Sequence, residues 1–108
     1  MVLLVANKIL RKNVMAMALY PFILLRDGEM KLNTRLINHE RIHLRQQLEL
    51  LIVPFYFWYL IEYLFRLIQY KDGHLAYLNI SFEREAYANE YDMNYLKKRK
   101  LFSFLKFI

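Results

Sequence analysis

The stretch Asn38-His39-Glu40-Arg41-Ile42-His43 decides how the rest of this 108-residue chain is interpreted. It has the pattern HExxH, and on a helix His39 and His43 would project from one face, one turn apart. Two imidazoles in that arrangement can share one Zn²⁺, and Glu40 beside the first can act on a metal-bound water. The stretch therefore predicts a helix that carries two ligands of a metal site.

A third ligand has to come from elsewhere in the chain, and it cannot be a thiolate because the sequence contains no cysteine. His74, in a glycine-containing turn, is the weaker candidate. Glu83 and Glu85 lie near the start of a predicted helix, where the helix dipole favours the ionised carboxylate that a ligand must be. Spacing alone leaves the choice between these two glutamates open.

The motif helix is expected to begin at Asn33 or Thr34, either of which is a suitable N-cap, and to run on to Glu49. Gln46 and Gln47 follow the second histidine by three and four residues. At least one of them shares the face of the two histidines, where an amide could orient a ligand. The alternative is a polar pair on the surface.

A continuously apolar segment, LLIVPFYFWYLI at residues 50–61, follows the motif. Pro54 is expected to break or kink the helix near Val53. Crossing a bilayer takes about 20 apolar residues, and Glu62 and Arg66 interrupt this run, so we expect no transmembrane helix here. We expect a core helix with a partly exposed aromatic face; shallow contact with a membrane surface is the second interpretation.

The N-terminal quarter predicts a small β element. Residues 1–12 are expected to form a short strand or helix, and residues 20–25 a strand that ends at the turn signal of residues 26–29. Pro21 would place that strand at a sheet edge, where an extended peptide could pair with it. A pair of buried helices broken at Pro21 is the alternative.

The C-terminal part predicts a long helix and a docked tail. Ser81 is a good N-cap for a helix from Phe82 to about Lys100, with acidic residues in its first turn and basic residues in its last. The apolar residues 101–108 are expected to dock on the core. For the basic run 97–100, within a net charge of +6, we favour a solvated helix end over a site for nucleic acid or anionic lipid.

The two motifs together resemble those of the gluzincin metallopeptidases, in which HExxH is completed by a Glu on a later helix. In a membrane-embedded branch of the CAAX-protease type that Glu opens an ExxAD segment, and residues 83–86 fit its first four positions. The sequence is also similar to small bacterial proteins with HExxHxxQ and FExEAY motifs, matched here by residues 39–46 and 82–87.

The resemblance implies Glu83 as the third zinc ligand. It leaves Tyr87 where the family has an Asp that steadies a histidine ligand, and Asn38, Asn89 or Glu90 could take over that task. The implied reaction is peptide-bond hydrolysis by a zinc-activated water, with Glu40 as general base. Tyr87 is the preferred donor to the oxyanion, with Arg84 and Tyr77 as alternatives.

We therefore expect one zincin-like domain over residues 1–108, mainly α, with about three main helices and a small N-terminal β element. The expected function is that of a minimal zinc metallopeptidase acting on a peptide or protein. The alternatives are a non-catalytic zinc-bearing binding protein and a basic membrane-surface protein with an accidental HExxH; nucleic acid is not the expected partner. Because the apolar-then-basic N-terminus is the reverse of a signal peptide, a cytoplasmic location is expected, peripheral to the membrane in the second interpretation.

Overall fold

The structure, a computed structural model, describes residues 1–6 and 14–108. The strands within these residues are β1 (Val2–Val5), β2 (Ala16–Leu19) and β3 (Phe22–Leu25). The helices are α1 (Thr34–Glu49), α2 (Val53–Tyr70), α3 (Gly73–Leu78), α4 (Ser81–Asn89) and α5 (Tyr95–Lys98), with short 3₁₀ helices at Gly28–Leu32 and Ser103–Phe107. The predicted mainly helical fold with a small N-terminal β element is confirmed. Residues 1–6 contain β1, and the rest of the element predicted at 1–12 lies outside the described residues.

The strand predicted at residues 20–25 exists as β3, but its predicted place at a sheet edge is wrong. β3 is the central strand, parallel to β1 on one side and antiparallel to β2 on the other. Pro21 does not disturb it because the proline occupies the turn before β3, after a cis Tyr20–Pro21 bond, and its carbonyl accepts the Val2 N–H at 2.9 Å. The strand next to the motif helix is β2, which forms an edge of the sheet.

The motif helix α1 begins at its predicted cap, since the Asn33 side chain accepts the Leu36 N–H at 3.0 Å. It packs on the sheet through Leu44, which joins Ile23 and Leu25 in one buried cluster. After Glu49 the chain bends sharply, and α2 runs at 112° to α1. Pro54 lies in the first turn of α2, where no N–H donor is needed, so it opens a second helix.

The prediction of α2 as a core helix is wrong for most of its length. Phe55 is its only buried residue, and it packs with Ile80, Phe82 and Phe104 in the second apolar cluster. Burial of Phe104 confirms that the C-terminal tail docks on the core. Among the described residues no single helix is long and apolar enough to cross a bilayer; α1 and α2 reach that length and hydropathy only as a bent pair.

The long C-terminal helix predicted to reach Lys100 is instead two helices, because α4 ends at Asn89. The Asn38 amide donates to the carbonyl oxygen of Glu90 at 2.9 Å, so the end of α4 is satisfied from outside and the chain turns away. The predicted cap is also displaced: Ile80 is the N-cap of α4, and the Ser81 hydroxyl donates to Glu62 at 2.7 Å.

Candidate metal centre

Three side-chain atoms from two helices converge at the centre of the molecule. His39 and His43 on α1 bring their Nε2 atoms to 3.1 Å from each other. The Oε1 atom of Glu83, on α4, lies 3.1 Å from His39 Nε2 and 3.0 Å from His43 Nε2. The two helices cross closely here, and all three side chains are buried. The near-equilateral triangle makes Glu83 the carboxylate that the fold brings to both histidines.

The size of this triangle fits a small cation. A tetrahedral ion with N and O ligands at about 2.0–2.1 Å holds those atoms about 3.3–3.4 Å apart. The triangle therefore needs to open by only a few tenths of an ångström. Glu40 is also close, since His39, Glu40 and His43 each offer a ligand atom within 4.8 Å of the others. A buried His-Glu-x-x-His group that could hold a metal ion is thus present. The Oε1 atom of Glu83 lies well within 4.8 Å of the two histidine Nε2 atoms, at 3.1 and 3.0 Å.

The far side of the His39 ring is held by a second carboxylate. Its Nδ1 lies 2.7 Å from Glu90 Oε2, and Arg35 donates to the other oxygen of Glu90 at 3.2 Å. A carboxylate can only accept here, so it holds the Nδ1 proton and turns the Nε2 lone pair toward the centre. Of the residues considered for supporting a histidine, Glu90 is the one that contacts His39; Asn38 instead holds the end of α4.

The far side of His43 is held by Gln46, whose orientation is fixed by its other contacts. The Gln46 amide nitrogen donates to the Phe82 carbonyl at 3.2 Å and to Glu85 Oε1 at 2.9 Å. Its oxygen therefore faces His43 Nδ1, at 2.8 Å, and accepts the Nδ1 proton. In the neutral ring this leaves Nε2 as the acceptor that a cation requires.

Glu85, the alternative third ligand, lies on the other side of α4 and contacts neither histidine in the described part of the chain. It is paired with the Arg99 guanidinium, which also binds Glu49 through two hydrogen bonds of 2.7 and 2.9 Å. The prediction that the basic run is a solvated helix end is therefore wrong for Arg99, whose side chain is 1% exposed. This buried ion pair fastens the C-terminal segment to α1 and α4.

Glu83 is oriented by a tyrosine that the sequence did not single out. The Tyr59 hydroxyl donates to Glu83 Oε2 at 2.7 Å, which leaves Oε1 for the histidines. A tyrosine within the apolar run of α2 looks like any other core aromatic residue. The one signal in the sequence is the phenolic oxygen, because a tyrosine hydroxyl needs a hydrogen-bond partner when it is buried.

Charge in the centre is coupled between Glu83 and the histidines. Burial by itself raises the pKa of the Glu83 carboxyl, but the charge of His43 and the close contacts with both imidazoles outweigh it and hold that pKa well below its usual range. Burial likewise lowers the pKa of His43, and the neighbouring Glu83 more than reverses this, raising it to about 9. Without a metal, the centre therefore holds an ionised glutamate and a protonated His43 near neutral pH.

Glu40 differs from the other buried carboxylates of the centre because one of its oxygens is unsatisfied. Its Oε2 is buried and makes no hydrogen bond to any residue among 1–6 and 14–108. Burial raises the pKa of this carboxyl, and the nearby histidines only partly offset it. An unpaired buried carboxylate oxygen is costly, and Glu40 lines a cavity from which a solvent molecule or ligand could satisfy it.

The centre opens into a cavity of about 590 Å³ whose lining comes from β2, α1, α2, α3 and α4. Tyr87 lines it, with its ring 4.5 Å from the His39 ring and its hydroxyl 2.9 Å from that of Tyr77. The alternative donor Arg84 is occupied elsewhere, by the Phe107 carbonyl and the Asn79 side chain. His74 also lines the cavity but is exposed and stacks on Tyr77, so it does not join the three converging atoms.

The edge of β2 that borders the cavity is partly covered by side chains. The carbonyl of Ala18 accepts hydrogen bonds from Gln47 at 2.9 Å and from the Tyr56 hydroxyl at 3.1 Å, and the Tyr20 N–H donates to Gln47 at 2.8 Å. In an antiparallel strand alternate residues point their backbone groups outward, which adds those of Ala16 to this edge. Gln47 therefore forms hydrogen bonds with the backbone at β2, whereas Gln46 forms one with His43.

These contacts can be set against known proteins. No family model, no curated protein and no solved structure matches this chain. The resemblance to the gluzincin motifs, and that of residues 39–46 and 82–87 to the motifs of small bacterial proteins, stay predictions. What the chain binds and does is therefore inferred from the geometry of its own residues.

Proposed function

We propose that this chain is a minimal gluzincin-like zinc peptidase, in which His39, His43 and Glu83 hold one Zn²⁺. The observation that carries the proposal is the convergence of their three ligand atoms at 3.0–3.1 Å, on a site whose outer side opens to a cavity. Three protein ligands and one open position are typical of a catalytic zinc site, whereas structural sites are closed by four.

The ligand set favours zinc among the divalent metals. Two imidazole nitrogens suit zinc and the later transition metals, whereas Mg²⁺ and Ca²⁺ prefer sites made entirely of oxygen. Both histidines have their Nδ1 atoms fixed by acceptors, as expected for imidazoles that bind through Nε2. When bound there, zinc would act as a Lewis acid on a substrate carbonyl and make a coordinated water acidic at neutral pH.

Glu40 is the proposed general base. It adjoins His39 in sequence and lines the cavity, and its Oε2 has no partner within the described residues. Burial raises its pKa, which makes the carboxylate a better proton acceptor than a solvated glutamate. In the proposed reaction it takes a proton from the attacking water and delivers it to the leaving amine.

Tyr87 and Tyr77 are the proposed donors to the oxyanion that forms on the scissile carbonyl. Their hydroxyls lie 2.9 Å apart on the cavity wall, and burial raises the pKa of both phenols, so both keep their protons. Because one hydroxyl can donate to the other, the second O–H remains available to a substrate oxygen. The Tyr87 ring also packs on His39 and restricts its movement.

The proposed substrate is a peptide or protein segment that enters the cavity beside β2. Gln47 and Tyr56 already cover the Ala18 carbonyl, so pairing with this strand would be limited to the part nearer Ala16. We propose a cytoplasmic location.

The experiment that tests this function separates metal binding from chemistry. The protein, purified without chelator, should contain about one zinc per chain and cleave a library of unstructured peptides, with new termini read by mass spectrometry. The Glu40→Gln variant should keep its zinc and lose cleavage by about 10²–10⁴-fold. Glu29→Gln, in an exposed turn, is the matched control and should retain both. Protein that is metal-free and gains no thermal stability from added Zn²⁺ would refute the proposal.

A non-catalytic zinc site is the second candidate, and one observation favours it. His39, His43 and Glu83 are each no more than 5% exposed, and they join α1 to α4, as a structural metal site would. In that case Glu40, whose carboxylate lies within 4.8 Å of ligand atoms of both histidines, would be the fourth protein ligand, and Glu40→Gln would weaken zinc binding. X-ray absorption spectroscopy of the zinc-loaded protein would then show four protein ligands, whereas the catalytic proposal expects three and a water.

A further inference from the structure

The outer face of α2 is apolar and uncovered by the described parts of the chain. Seven of its residues are 48–78% exposed, and none of the seven is polar. They are Val53, Phe57, Leu60, Ile61, Leu64, Phe65 and Ile68. At 3.6 residues per turn they fall within an arc of about 140° on one side of the helix. A soluble surface helix normally carries its charged residues on this side, so this face requires another explanation.

The C-terminal tail lies beside this face. Phe104 packs edge-on against Trp58 of α2, with ring centroids 5.1 Å apart. The tail leaves Leu101, Leu105 and Ile108 exposed, and it carries the exposed Lys100 and Lys106. The apolar face thus has a neighbour that combines apolar and basic side chains.

The exposed charged side chains of the described residues are predominantly basic, because few acidic side chains lie at the surface. Four of the ten acidic residues are buried at the candidate metal centre or around it: Glu40, Glu83, Glu85 and Glu90. Of the described residues only Glu29 and Asp72 are exposed acids. The exposed bases among residues 1–6 and 14–108 are Lys31, Arg41, Arg45, Lys71, Lys97, Lys98, Lys100 and Lys106.

We propose that the outer face of α2 docks on an anionic lipid surface, with its apolar side chains in the headgroup–acyl boundary and the lysines near it on the phosphates. Helices that lie in a membrane interface combine an apolar face with basic residues, and lysines beside such a face add attraction to anionic lipid. Lys71 directly follows α2, and Lys100 and Lys106 lie in the tail that packs on it. This inference does not rest on the proposed peptidase function.

The same observations argue against two other occupants. A second copy of the chain would bring two strongly basic surfaces together around the apolar face. Nucleic acid would match the charge but would leave the seven apolar side chains of α2 without a partner. An anionic bilayer satisfies both features at once.

Vesicle flotation tests the proposal, with Trp58 as the only tryptophan and therefore the reporter. The full chain should bind vesicles of phosphatidylcholine with one-third phosphatidylserine at least tenfold better than pure phosphatidylcholine, and 0.5 M NaCl should weaken binding. The fluorescence of Trp58 should shift to shorter wavelength on binding. Lys100→Gln/Lys106→Gln should cost about fivefold per lysine.

The matched variants separate the apolar face from apolar surface in general. Ile61→Gln/Ile68→Gln should weaken vesicle binding at least tenfold, whereas Leu32→Gln/Met93→Gln, also exposed apolar residues but off α2, should not. Both variants should melt as the unaltered chain does, because all four side chains lie at the surface. Glu40→Gln should bind vesicles normally, whatever its effect on cleavage.

Three results would overturn the proposal. One is vesicle binding that the Ile61/Ile68 variant retains in full. Another is a dimer in sedimentation that this variant converts to monomer, without vesicle binding, which would make the face an interface between copies. The third is salt-dependent binding of an oligonucleotide with no binding of anionic vesicles, which would assign the basic surface to nucleic acid.

Discussion

Glu83 and Glu85 lie two residues apart on α4, both are buried, and the fold gives them opposite kinds of partner. Glu85 is paired with Arg99, a permanent cation that the chain itself supplies. Within residues 1–6 and 14–108, Glu83 contacts the imidazoles of His39 and His43 and the hydroxyl of Tyr59, and no guanidinium or ammonium group. The pKa values of both carboxyls are lowered, because these partners outweigh the effect of burial.

The difference shows which of the two carboxylates already has a permanent counter-charge within the protein. A buried carboxylate with a built-in guanidinium is a closed structural unit. The charge of a buried carboxylate that contacts two neutral imidazoles is balanced only if a proton or an external cation is bound there. Gln46 joins the two sides, since it contacts both Glu85 and His43. Variants on each side should therefore affect different properties: stability on the Glu85 side and metal affinity on the Glu83 side.

The largest effect is expected from Arg99→Met on the structural side. It leaves Glu49 and Glu85 as uncompensated buried charges, which should lower the free energy of unfolding by about 3–5 kcal/mol, with or without zinc. Urea denaturation followed by circular dichroism measures this. The control is Arg45→Met, the same substitution at an exposed arginine. Its free energy of unfolding should stay within about 0.5 kcal/mol of that of the unaltered chain. A loss below about 1 kcal/mol for Arg99→Met would show that the pair is not structural.

Glu83→Gln on the metal side should have the next largest effect, and on a different quantity. Loss of a ligand should weaken zinc binding more than the 10–100-fold typical of an outer partner, so by at least about 100-fold. At a zinc concentration of 100 times the original dissociation constant, nearly all of the roughly 2.7 kcal/mol of zinc-induced stabilisation should vanish. Chelator competition and thermal melting with and without zinc measure the two effects. Glu85→Gln should show the reverse pattern, with reduced stability and a persistent zinc response.

Gln46→Leu should have an intermediate effect, because Gln46 acts on the metal only through His43. Zinc affinity should fall by about 10–100-fold. Gln47→Leu is a closely matched control, since it removes the neighbouring amide of the same helix. The Gln47 amide forms its hydrogen bonds with the backbone of Ala18 and Tyr20 and none with His43. This substitution should lower stability and leave zinc affinity unchanged. Equal losses of affinity in both variants would mean that the amides act only through general destabilisation.

Much of the candidate site was predictable because helical spacing is local. A four-residue separation places His39 and His43 on one face whatever the rest of the fold does, and Asn33 is the expected cap. The mainly helical fold likewise followed from helical patterning and the capping signals. Glu83 was implied by the resemblance; the structure places it beside both Nε2 atoms, and its role as a ligand stays a prediction.

The remaining contacts join residues that are distant in the sequence, so local sequence patterns could not predict them. Whether Glu90 or an asparagine supports His39 is decided by where α4 ends, and that end is fixed by Asn38 on another helix. Arg99 looks like one member of a surface basic run until Glu49 and Glu85 are brought to it. Similarly, the apolar run of α2 predicted burial, but a 112° bend leaves most of it at the surface.

Counted per pH unit, the smallest effect is the dependence of zinc affinity on pH. Since Glu83 raises the pKa of His43 to about 9, zinc must displace the His43 proton below that pH. Affinity should rise about tenfold per pH unit from pH 6 to 8.5, with about one proton released, measured by chelator competition and by calorimetry in two buffers.

Stability of the metal-free protein should move in the opposite direction. A pKa raised above its unfolded value of about 6.5 contributes stability that is complete below pH 6.5 and lost as the pH rises through about 9. The gain in melting temperature on adding zinc should therefore widen with pH over this window. Glu83→Gln should reduce the widening, since it removes the largest of the influences that raise the pKa of His43. A zinc response that is flat from pH 6 to 8.5 in the unaltered chain would show that His43 does not exchange its proton for the metal.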